Sequence, residues 1–196
     1  MSQKARPYQA ASTVGVKKAF RDGAQLVLLV LPTGTGKTTV VAIWIHGAVT
    51  KGSFVIFLAH RRELIRNASK RLKMHGVKHG IIMPGERYDL SQQVQVGSVQ
   101  SILPRLYPRD PETAADAPRA DIIVFDEAHR ATSKSYKDII AKYPNALVIG
   151  LTATPARTDG RGLGDVFQSM VEVLDVADAI GQGYLCDYVM YEGQYD

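Results

Sequence analysis

The sequence QLVLLVLPTGTGKTT, at residues 25–39, decides the fold class of this chain. Its first seven residues are almost wholly apolar, which predicts a buried strand over residues 25–31. A helix is predicted to begin at Gly36, to run to residue 50 and to end at the Lys51-Gly52 pair. A glycine-rich turn that joins a strand to a helix aims backbone N–H groups at an anion, assisted by the positive end of the helix. The stretch therefore predicts a phosphate-binding loop.

The residue types in this loop point to a bound nucleotide. Lys37 would supply a positive charge to the β- and γ-phosphates, and the Thr38 hydroxyl is placed to ligate Mg²⁺. The strict form of the motif has a glycine where this chain has Leu31, but the Pro-Thr-Gly-x-Gly-Lys-Thr variant is itself a recognised form. The predicted nucleotide-binding residues of the loop are Thr33, Gly34, Thr35, Gly36, Lys37, Thr38 and Thr39.

A second motif lies where another apolar segment ends. Residues 121–125 predict a strand, and Asp126 and Glu127 follow it directly. Ligands of open α/β sheets bind beyond the carboxyl ends of strands, so both carboxylates are placed to act on a ligand. Asp126 can hold Mg²⁺, directly or through water, and Glu127 can orient or deprotonate an attacking water. With Lys37, these two acids are the predicted catalytic residues of nucleoside triphosphate hydrolysis.

The rest of the chain alternates apolar segments with helical patterns. Further strands are predicted over residues 53–59, 78–83, 93–97 and 146–151, and further helices over residues 60–75, 99–106, 133–143 and 175–182. Residues 107–119 predict a surface loop, and residues 184–191 a final strand. Near-continuous apolar strands separated by helices predict an α/β fold, in which a mainly parallel sheet is covered by helices on both faces.

Composition and charge narrow the class of protein. The 196 residues are 45% hydrophobic and 22% charged, which is ordinary for one globular domain. The single cysteine excludes an internal disulfide and a cysteine-rich zinc site, and apolar runs of about six residues are too short for a membrane span. We therefore expect a cytoplasmic protein, with nucleoid association as an alternative, and no membrane partner.

The charge is distributed unevenly along the chain. Residues 162–196 contain seven acids and no lysine or arginine, so the rest of the chain carries 24 basic and 12 acidic residues, a net charge of +12. A basic body favours a polyanionic partner, although clustering of solvated charge by chance is the alternative.

Several short motifs together resemble a known family. They are Arg6-Pro7-Tyr8-Gln9, the phosphate loop, Leu58-Ala59-His60-Arg61-Arg62-Glu63-Leu64, Val96-Gly97-Ser98-Val99-Gln100-Ser101, Asp126-Glu127-Ala128-His129 and Leu151-Thr152-Ala153-Thr154-Pro155. In this order, over residues 6–161, they resemble the first RecA-like domain of superfamily 2 helicases and translocases. The Asp-Glu-Ala-His string resembles the DEAH box, and the set is most similar to the DNA-directed branch that includes repair translocases and restriction-enzyme motors.

The resemblance implies a function and a role for individual residues. It implies ATP and Mg²⁺ as cofactors and DNA as the track, with RNA as the alternative. Gln9 would read the adenine edge, and His129, Thr152 and Thr154 would couple the nucleotide to movement of the strand. Arg61, Arg62 and Gln100 would contact nucleic acid. The structural alternatives are a helix cap for Gln9, a purely structural histidine for His129, a turn former for either threonine and a solvated helix face for the arginines.

The resemblance also implies a partner domain. Members of the superfamily bind ATP between two RecA-like domains, and the second domain supplies arginines that reach the γ-phosphate. We expect a helicase domain over residues 1–165, and a terminal helix, strand and start of a linker over residues 166–196. The second domain would be supplied in cis or in trans, and alone the chain should hydrolyse ATP slowly and not unwind DNA. A non-hydrolysing nucleotide-gated module and a phosphate-loop kinase are the competing hypotheses.

Overall fold

The computed structural model describes residues 6–109, 116–131, 133–154 and 163–187. The helices within these ranges are α1 (Pro7–Arg21), α2 (Lys37–Val49), α3 (Arg62–Met74), α4 (Val99–Leu106), α5 (Lys134–Lys142) and α6 (Val176–Gly181). The strands are β1 (Leu26–Val30), β2 (Val55–Ala59), β3 (Gly80–Ile82), β4 (Val94–Ser98), β5 (Ile122–Phe125), β6 (Leu147–Thr152) and β7 (Ser169–Glu172). Short 3-10 helices lie at Ala128–Arg130 and Leu163–Asp165.

The described strands form one sheet in the order β3-β4-β2-β5-β6-β1-β7, and every pairing is parallel. Side chains alternate between its faces: Val27 and Leu29 of β1 join one apolar cluster, and Leu28 and Val30 join the other. The first cluster also takes residues from α1, α2, α3 and α6, and the second takes residues from α4 and α5. Helices therefore cover both faces, and the predicted α/β fold is confirmed.

The register of the strands sets the position of the functional edge. Val30 of β1 pairs with Thr152 of β6, Leu58 of β2 pairs with Phe125 of β5, and the end of β2 pairs with the end of β4. Because all strands run in the same direction, the segments that follow β1, β2, β4, β5 and β6 emerge at one edge. Five of the six predicted motifs end or follow these strands and so lie at this edge, and the sixth, Arg6-Pro7-Tyr8-Gln9, begins helix α1.

The structure differs from the sequence-based expectation at three places. Helix α1 and strand β7 were not predicted, and β7 carries the sheet past residue 165, where we expected the domain to end. Residues 184–187 are not a strand, so that part of the predicted final strand is wrong. The backbone N–H groups of Tyr184 and Leu185 instead bond to the Ala179 carbonyl and terminate α6. Residues 188–191 of that prediction, and Pro155 of the last motif, lie outside the described residues.

Within the described ranges, no helix combines the length and the apolar character needed to cross a bilayer.

Candidate functional site

The phosphate loop joins β1 to α2 in a conformation that depends on two glycines. Gly34 has φ 87° and Gly36 has φ 81°, and both values lie in the left-handed region that side chains disfavour. Thr35 is buried, and its hydroxyl donates to the Pro32 carbonyl at 2.7 Å, so this side chain braces the loop from within. Thr33 and Gly34 are exposed at the outer side of the loop. The loop is therefore internally braced and presents its backbone outwards.

The amino end of α2 suits an anion. Gly36 is its N-cap, no side chain caps the helix, and no acid stands in its first turn. Uncapped N–H groups and the positive end of the helix favour negative charge at this position. Thr38 and Thr39 follow Lys37 in this first turn and are half-buried. The predicted nucleotide-binding residues of the loop thus surround one helix terminus.

Lys37 is held against its own loop. Its Nζ donates to the Leu31 carbonyl at 2.9 Å, and burial lowers the pKa of the ammonium, against the opposing charges of Asp126 and Glu127. Partial desolvation disfavours the charged form of Lys37, and negative charge close to the ammonium favours it. A phosphate chain bound at the loop would add such charge.

Asp126 lies at the carboxyl end of β5. Its backbone N–H donates to the Leu58 carbonyl of β2 at 2.8 Å, which continues the sheet pairing by one residue. The residue is buried, and burial raises the pKa of its carboxyl, with the Glu127 charge as the second cause. An acid held in this way gains from a cation more than an exposed acid does.

Glu127 has a strained backbone. Its φ of 58° and ψ of 49° place it in the left-handed region, and it is the one non-glycine residue with positive φ among those described. Such strain costs of order 1–3 kcal/mol and concentrates at functional sites. In this turn the Glu127 side chain is partly exposed, and its Oε2 lies 3.2 Å from His129 Nδ1. The Glu127 backbone N–H donates to Asp126 Oδ1 at 3.1 Å.

The predicted coupling residues lie beside this turn. Thr152 ends β6, between the strands that carry the phosphate loop and the acids, and its carbonyl accepts from the Leu31 N–H at 3.0 Å. Its buried hydroxyl donates to the Thr154 carbonyl at 2.8 Å and accepts from the Thr154 N–H at 3.3 Å. Thr152 therefore connects the last predicted motif to the start of the phosphate loop through hydrogen bonds. His129, the other predicted coupling residue of this region, contacts the Glu127 carboxylate.

Helix α1 brings Gln9 to the loop. The side-chain Oε1 of Gln9 accepts from the Arg6 backbone N–H at 3.0 Å, which caps α1. The side-chain Nε2 of Gln9 lies 3.5 Å from the position of a Cβ on Gly36. Both roles considered for Gln9 are thus present in part, since it caps a helix and faces the loop. A cavity of about 190 Å³ opens here, and its lining consists of Arg6, Gln9, Gly34, Thr35, Gly36, Thr39 and Arg71.

Some residues at the loop were missed by sequence reasoning. The Tyr8 hydroxyl donates to the Thr35 carbonyl, and the Tyr8 ring packs edge-on against Tyr184 at 4.8 Å between centroids. A Cβ on Gly34 would lie 3.0 Å from Leu185 Cδ2, so the segment after α6 also reaches the loop. No local pattern identifies Tyr184 or Leu185, because their partners lie far away in the sequence.

The predicted nucleic-acid contacts separate in the structure. Arg62 and Gln100 line a groove of about 1170 Å³ at the carboxyl ends of β2 and β4, whereas Arg61 is not among its lining residues. The guanidinium of Arg62 donates to the Pro84 carbonyl at 2.9 Å, and that of Arg61 donates to His60 Nε2 at 3.3 Å. Both arginines remain exposed, so both keep unsatisfied donors for a partner.

The donor set suits Mg²⁺ bound together with a nucleotide. No cluster of three or more His, Cys, Asp or Glu side chains that could hold a metal occurs in the described part of the chain. Mg²⁺ usually takes only one or two protein carboxylates and fills its remaining positions with phosphates and water. The buried Asp126 carboxyl and the Thr38 hydroxyl fit that requirement.

Comparison with known proteins identifies relatives over most of the chain. The putative ATP-dependent helicase IRC3 of Saccharomyces cerevisiae is 28% identical over 198 residues, which cover 93% of this chain and 28% of that protein. The DNA 3'-5' translocase XPB2 of Sulfurisphaera tokodaii is 30% identical over 157 residues, which cover 80% of this chain and 32% of that protein. The chain thus spans about a third of the length of these relatives.

A solved structure gives the same result. The helicase domain of Pyrococcus furiosus Hef superposes with a TM-score of 0.63 and 26% identity, over 79% of this chain and 34% of that one. These relatives confirm the resemblance to superfamily 2 helicases and translocases that the motifs predicted. The sequence also matches the family described as type III restriction enzyme, res subunit, over residues 2–157, and since this match covers most of the chain, the protein belongs to that family.

Proposed function

We propose that this chain binds ATP with Mg²⁺ and hydrolyses it as the first motor domain of a DNA-directed helicase or translocase. The observation that carries the proposal is the meeting of Lys37, Asp126, Glu127 and Thr152 at one edge of the sheet, around the uncapped amino end of α2. The family, the helicase and translocase relatives and the basic body of the chain support nucleic acid as its track.

Each residue of the site has a defined task in this proposal. The N–H groups of the phosphate loop bind the phosphate chain, and Lys37 exchanges its bond to the Leu31 carbonyl for one to the β- and γ-phosphates. Asp126 and Thr38 would hold Mg²⁺, which when bound neutralises charge on the phosphates. Glu127 would orient the attacking water and accept its proton, and its partly exposed, strained position leaves the carboxylate accessible.

The proposal also assigns a route from hydrolysis to movement. Thr152 contacts the start of the phosphate loop through the Leu31 N–H and holds Thr154 through two hydrogen bonds. A change in the loop on loss of the γ-phosphate would therefore reach the segment after β6 directly. A second RecA-like domain, in cis or in trans, would convert this shift into steps and supply an arginine to the γ-phosphate. Since such an arginine contributes about 10³–10⁵ to turnover, the chain alone should hydrolyse ATP slowly.

The test separates binding from hydrolysis. Binding of a fluorescent ATP analogue and steady-state phosphate release are measured for the wild-type chain, Lys37→Ala and Glu127→Gln, with and without DNA or RNA of equal length at matched salt. We expect Lys37→Ala to lose nucleotide binding, and Glu127→Gln to keep binding and lose hydrolysis. Lys51→Ala, at the far end of α2, is the matched control and should change neither.

Other outcomes would redirect the assignment. Nucleotide binding without hydrolysis, even when a second RecA-like domain is added, would support the non-hydrolysing module. Tighter binding of RNA than of DNA would indicate that RNA, and not DNA, is the track. Fast, DNA-stimulated turnover by the chain alone would overturn the requirement for a second domain.

A further inference from the structure

The cavity beside the phosphate loop is lined by three different parts of the chain. Its volume is about 190 Å³, the start of α1 contributes Arg6 and Gln9, and the loop and the first turn of α2 contribute most of the rest. The remaining lining residue is Arg71, in the last turn of α3. Arg71 lies outside all of the motifs that predict the nucleotide site. Its place at the cavity therefore calls for a separate explanation.

The guanidinium of Arg71 has no partner within the described part of the chain. Side chains three and four residues apart are neighbours on a helix, and around Arg71 these positions hold Asn67, Ala68, Met74 and His75, none of which is an acid. No hydrogen bond or ion pair joins Arg71 to any other described side chain. Its N–H donors are therefore left for water or for a ligand of the cavity.

The other polar groups of the cavity differ in how far they are engaged. Arg6 Nη1 donates to the Tyr8 hydroxyl at 3.4 Å, and the Arg6 guanidinium lies 5.3 Å from the centroid of the Tyr184 ring. Gln9 is only 7% exposed, yet its Nε2 has no hydrogen-bond partner among the residues described. The lining contains no carboxylate that would compete for these donors. The cavity thus offers free donors from both α1 and α3.

The position of the cavity indicates which part of a nucleotide enters it. In the proposed function the loop N–H groups and Lys37 bind the phosphates, so the sugar and base extend beyond the loop. The cavity adjoins the loop at Gly34 and Gly36, and it contains Gln9, to which the family resemblance assigns the adenine edge. Guanidinium planes stack on the faces of bases, and adenine also carries ring nitrogens that accept hydrogen bonds. A base therefore suits the free guanidinium of Arg71.

We propose that Arg71 is a binding residue for the base of ATP, with its guanidinium packed on the adenine ring whose edge Gln9 reads. This inference rests on the proposed function, because it takes ATP as the ligand. It makes α3, which packs against α2, a third helix of the nucleotide site. A contact with the base is the same before and during phosphate transfer, so Arg71 contributes to KM and not to kcat.

The experiment compares a ligand that has a base with one that lacks it. Competition against an ATP analogue labelled on the ribose measures the affinities of ATP and of inorganic tripolyphosphate, each with Mg²⁺. We expect Arg71→Ala to weaken ATP binding about 2- to 30-fold and to leave tripolyphosphate binding unchanged. Arg71→Lys keeps the charge but loses the planar group, so it should lose most of the same factor.

Two control variants and a second readout accompany this comparison. Lys70→Ala removes the neighbouring cation of α3, which is exposed and lines neither this cavity nor the groove, and it should change neither affinity. Lys37→Ala should weaken both ligands, as expected for a phosphate contact. In steady-state hydrolysis Arg71→Ala should raise KM by a factor similar to its loss of ATP affinity, with kcat unchanged, because slow hydrolysis makes KM a binding constant. Unfolding temperatures verify that each variant is folded.

The possible failures are distinguishable. Equal ATP affinities of the wild type and Arg71→Ala, or an equal loss of ATP and tripolyphosphate binding, overturn the base contact and leave the proposed function standing. Wild-type ATP affinity in Arg71→Lys also overturns it, since charge alone would then suffice. If the wild-type chain binds neither ATP nor tripolyphosphate, the nucleotide part of the proposed function fails and the base contact fails with it.

Discussion

Gly150 fills a position in β6 that has no room for a side chain. A Cβ built there would lie 2.4 Å from Phe167 Cζ and 2.8 Å from the Ala128 Cβ, far inside contact distance. Its φ lies outside the left-handed region, so the requirement for glycine is steric rather than conformational. Ala128 directly follows Glu127, which connects this contact to the acids of the candidate site.

Substitution of Gly150 by alanine should therefore destabilise the fold and disturb the site. Phe167 and Ala128 are both buried, so neither can move aside freely, and overpacking of this kind costs about 1–3 kcal/mol. For a domain of this size, the unfolding temperature should fall by about 2–12 °C. Displacement of Ala128 would also shift Glu127, so ATP hydrolysis should fall more than nucleotide binding does.

The assay is thermal unfolding of Gly150→Ala beside a matched control. Gly47, in the interior of α2, has no neighbouring atom within 4 Å of its Cβ position, and Gly47→Ala should stabilise the chain by about 0.4–1 kcal/mol. The double variant Gly150→Ala/Phe167→Leu should lose less stability than the sum of the two single variants, because a smaller side chain relieves the clash. An unchanged unfolding temperature for Gly150→Ala, or strictly additive losses, would refute this reasoning.

Four further predictions concern single polar groups. The buried Tyr136 hydroxyl has no hydrogen-bond partner within the described residues, so Tyr136→Phe should raise the free energy of unfolding in urea by about 1 kcal/mol. Tyr143→Phe loses a 2.7 Å hydrogen bond to the Pro118 carbonyl and should lower the free energy of unfolding by a similar amount. If both substitutions changed the free energy of unfolding in the same direction, both predictions would be contradicted. Burial raises the pKa of the Asp126 carboxyl, so the folded state keeps this proton to a higher pH than the unfolded state does. The contribution of Asp126 to the free energy of unfolding therefore declines as pH rises from the pKa of an unfolded aspartate to the raised pKa of the folded state. Asp126→Asn should accordingly be more stable than the wild type at neutral pH without Mg²⁺, and equal urea midpoints there would be the contrary result. Tyr8→Phe leaves the Thr35 carbonyl without its donor and should weaken ATP binding by about 2- to 10-fold in a fluorescence titration; unchanged affinity would mean that this bond does not shape the loop.

The central part of the fold could be predicted because its signals are local. Strands β1, β2, β5 and β6 are runs of apolar residues that are buried on both faces, and the phosphate loop carries its own glycines and lysine. Their parallel arrangement follows from the alternation of strands with helices. In a parallel sheet the residues that end or follow the strands share one edge, and Lys37, Asp126 and Thr152 lie there for this reason.

The elements that were missed depend on partners far away in the sequence. Strand β7 is a half-exposed edge strand, Ser169–Glu172, without a continuous apolar run, and it is defined by its pairing with β1. Helix α1 mixes small, polar and apolar residues and has a glycine in its interior. A Cβ on Gly15 would lie 2.7 Å from Val171 Cγ1, so the glycine serves the packing of α1 on β7. Helix α1 and strand β7 therefore depend on contacts between distant parts of the sequence, which a local pattern does not reveal.

The strand order gives a physical reason why events at the nucleotide can affect the groove. Strand β5 pairs with β2, so Glu127 and His60 emerge from adjacent strand ends, and His60 also lines the groove. His60 Nε2 accepts from the Arg61 guanidinium at 3.3 Å, and its Nδ1 is buried and has no hydrogen-bond partner within the described residues. Burial lowers the pKa of this imidazole, with the charge of Arg130 as a further cause, while Glu127 opposes the shift. The His60 ring is therefore within the electrostatic reach of Glu127, the acid that we assign to water activation, and at the same time lines the groove that contains Arg62 and Gln100. Under the proposed function, a shift of Glu127 during hydrolysis would change the electric field at His60, a residue of this groove.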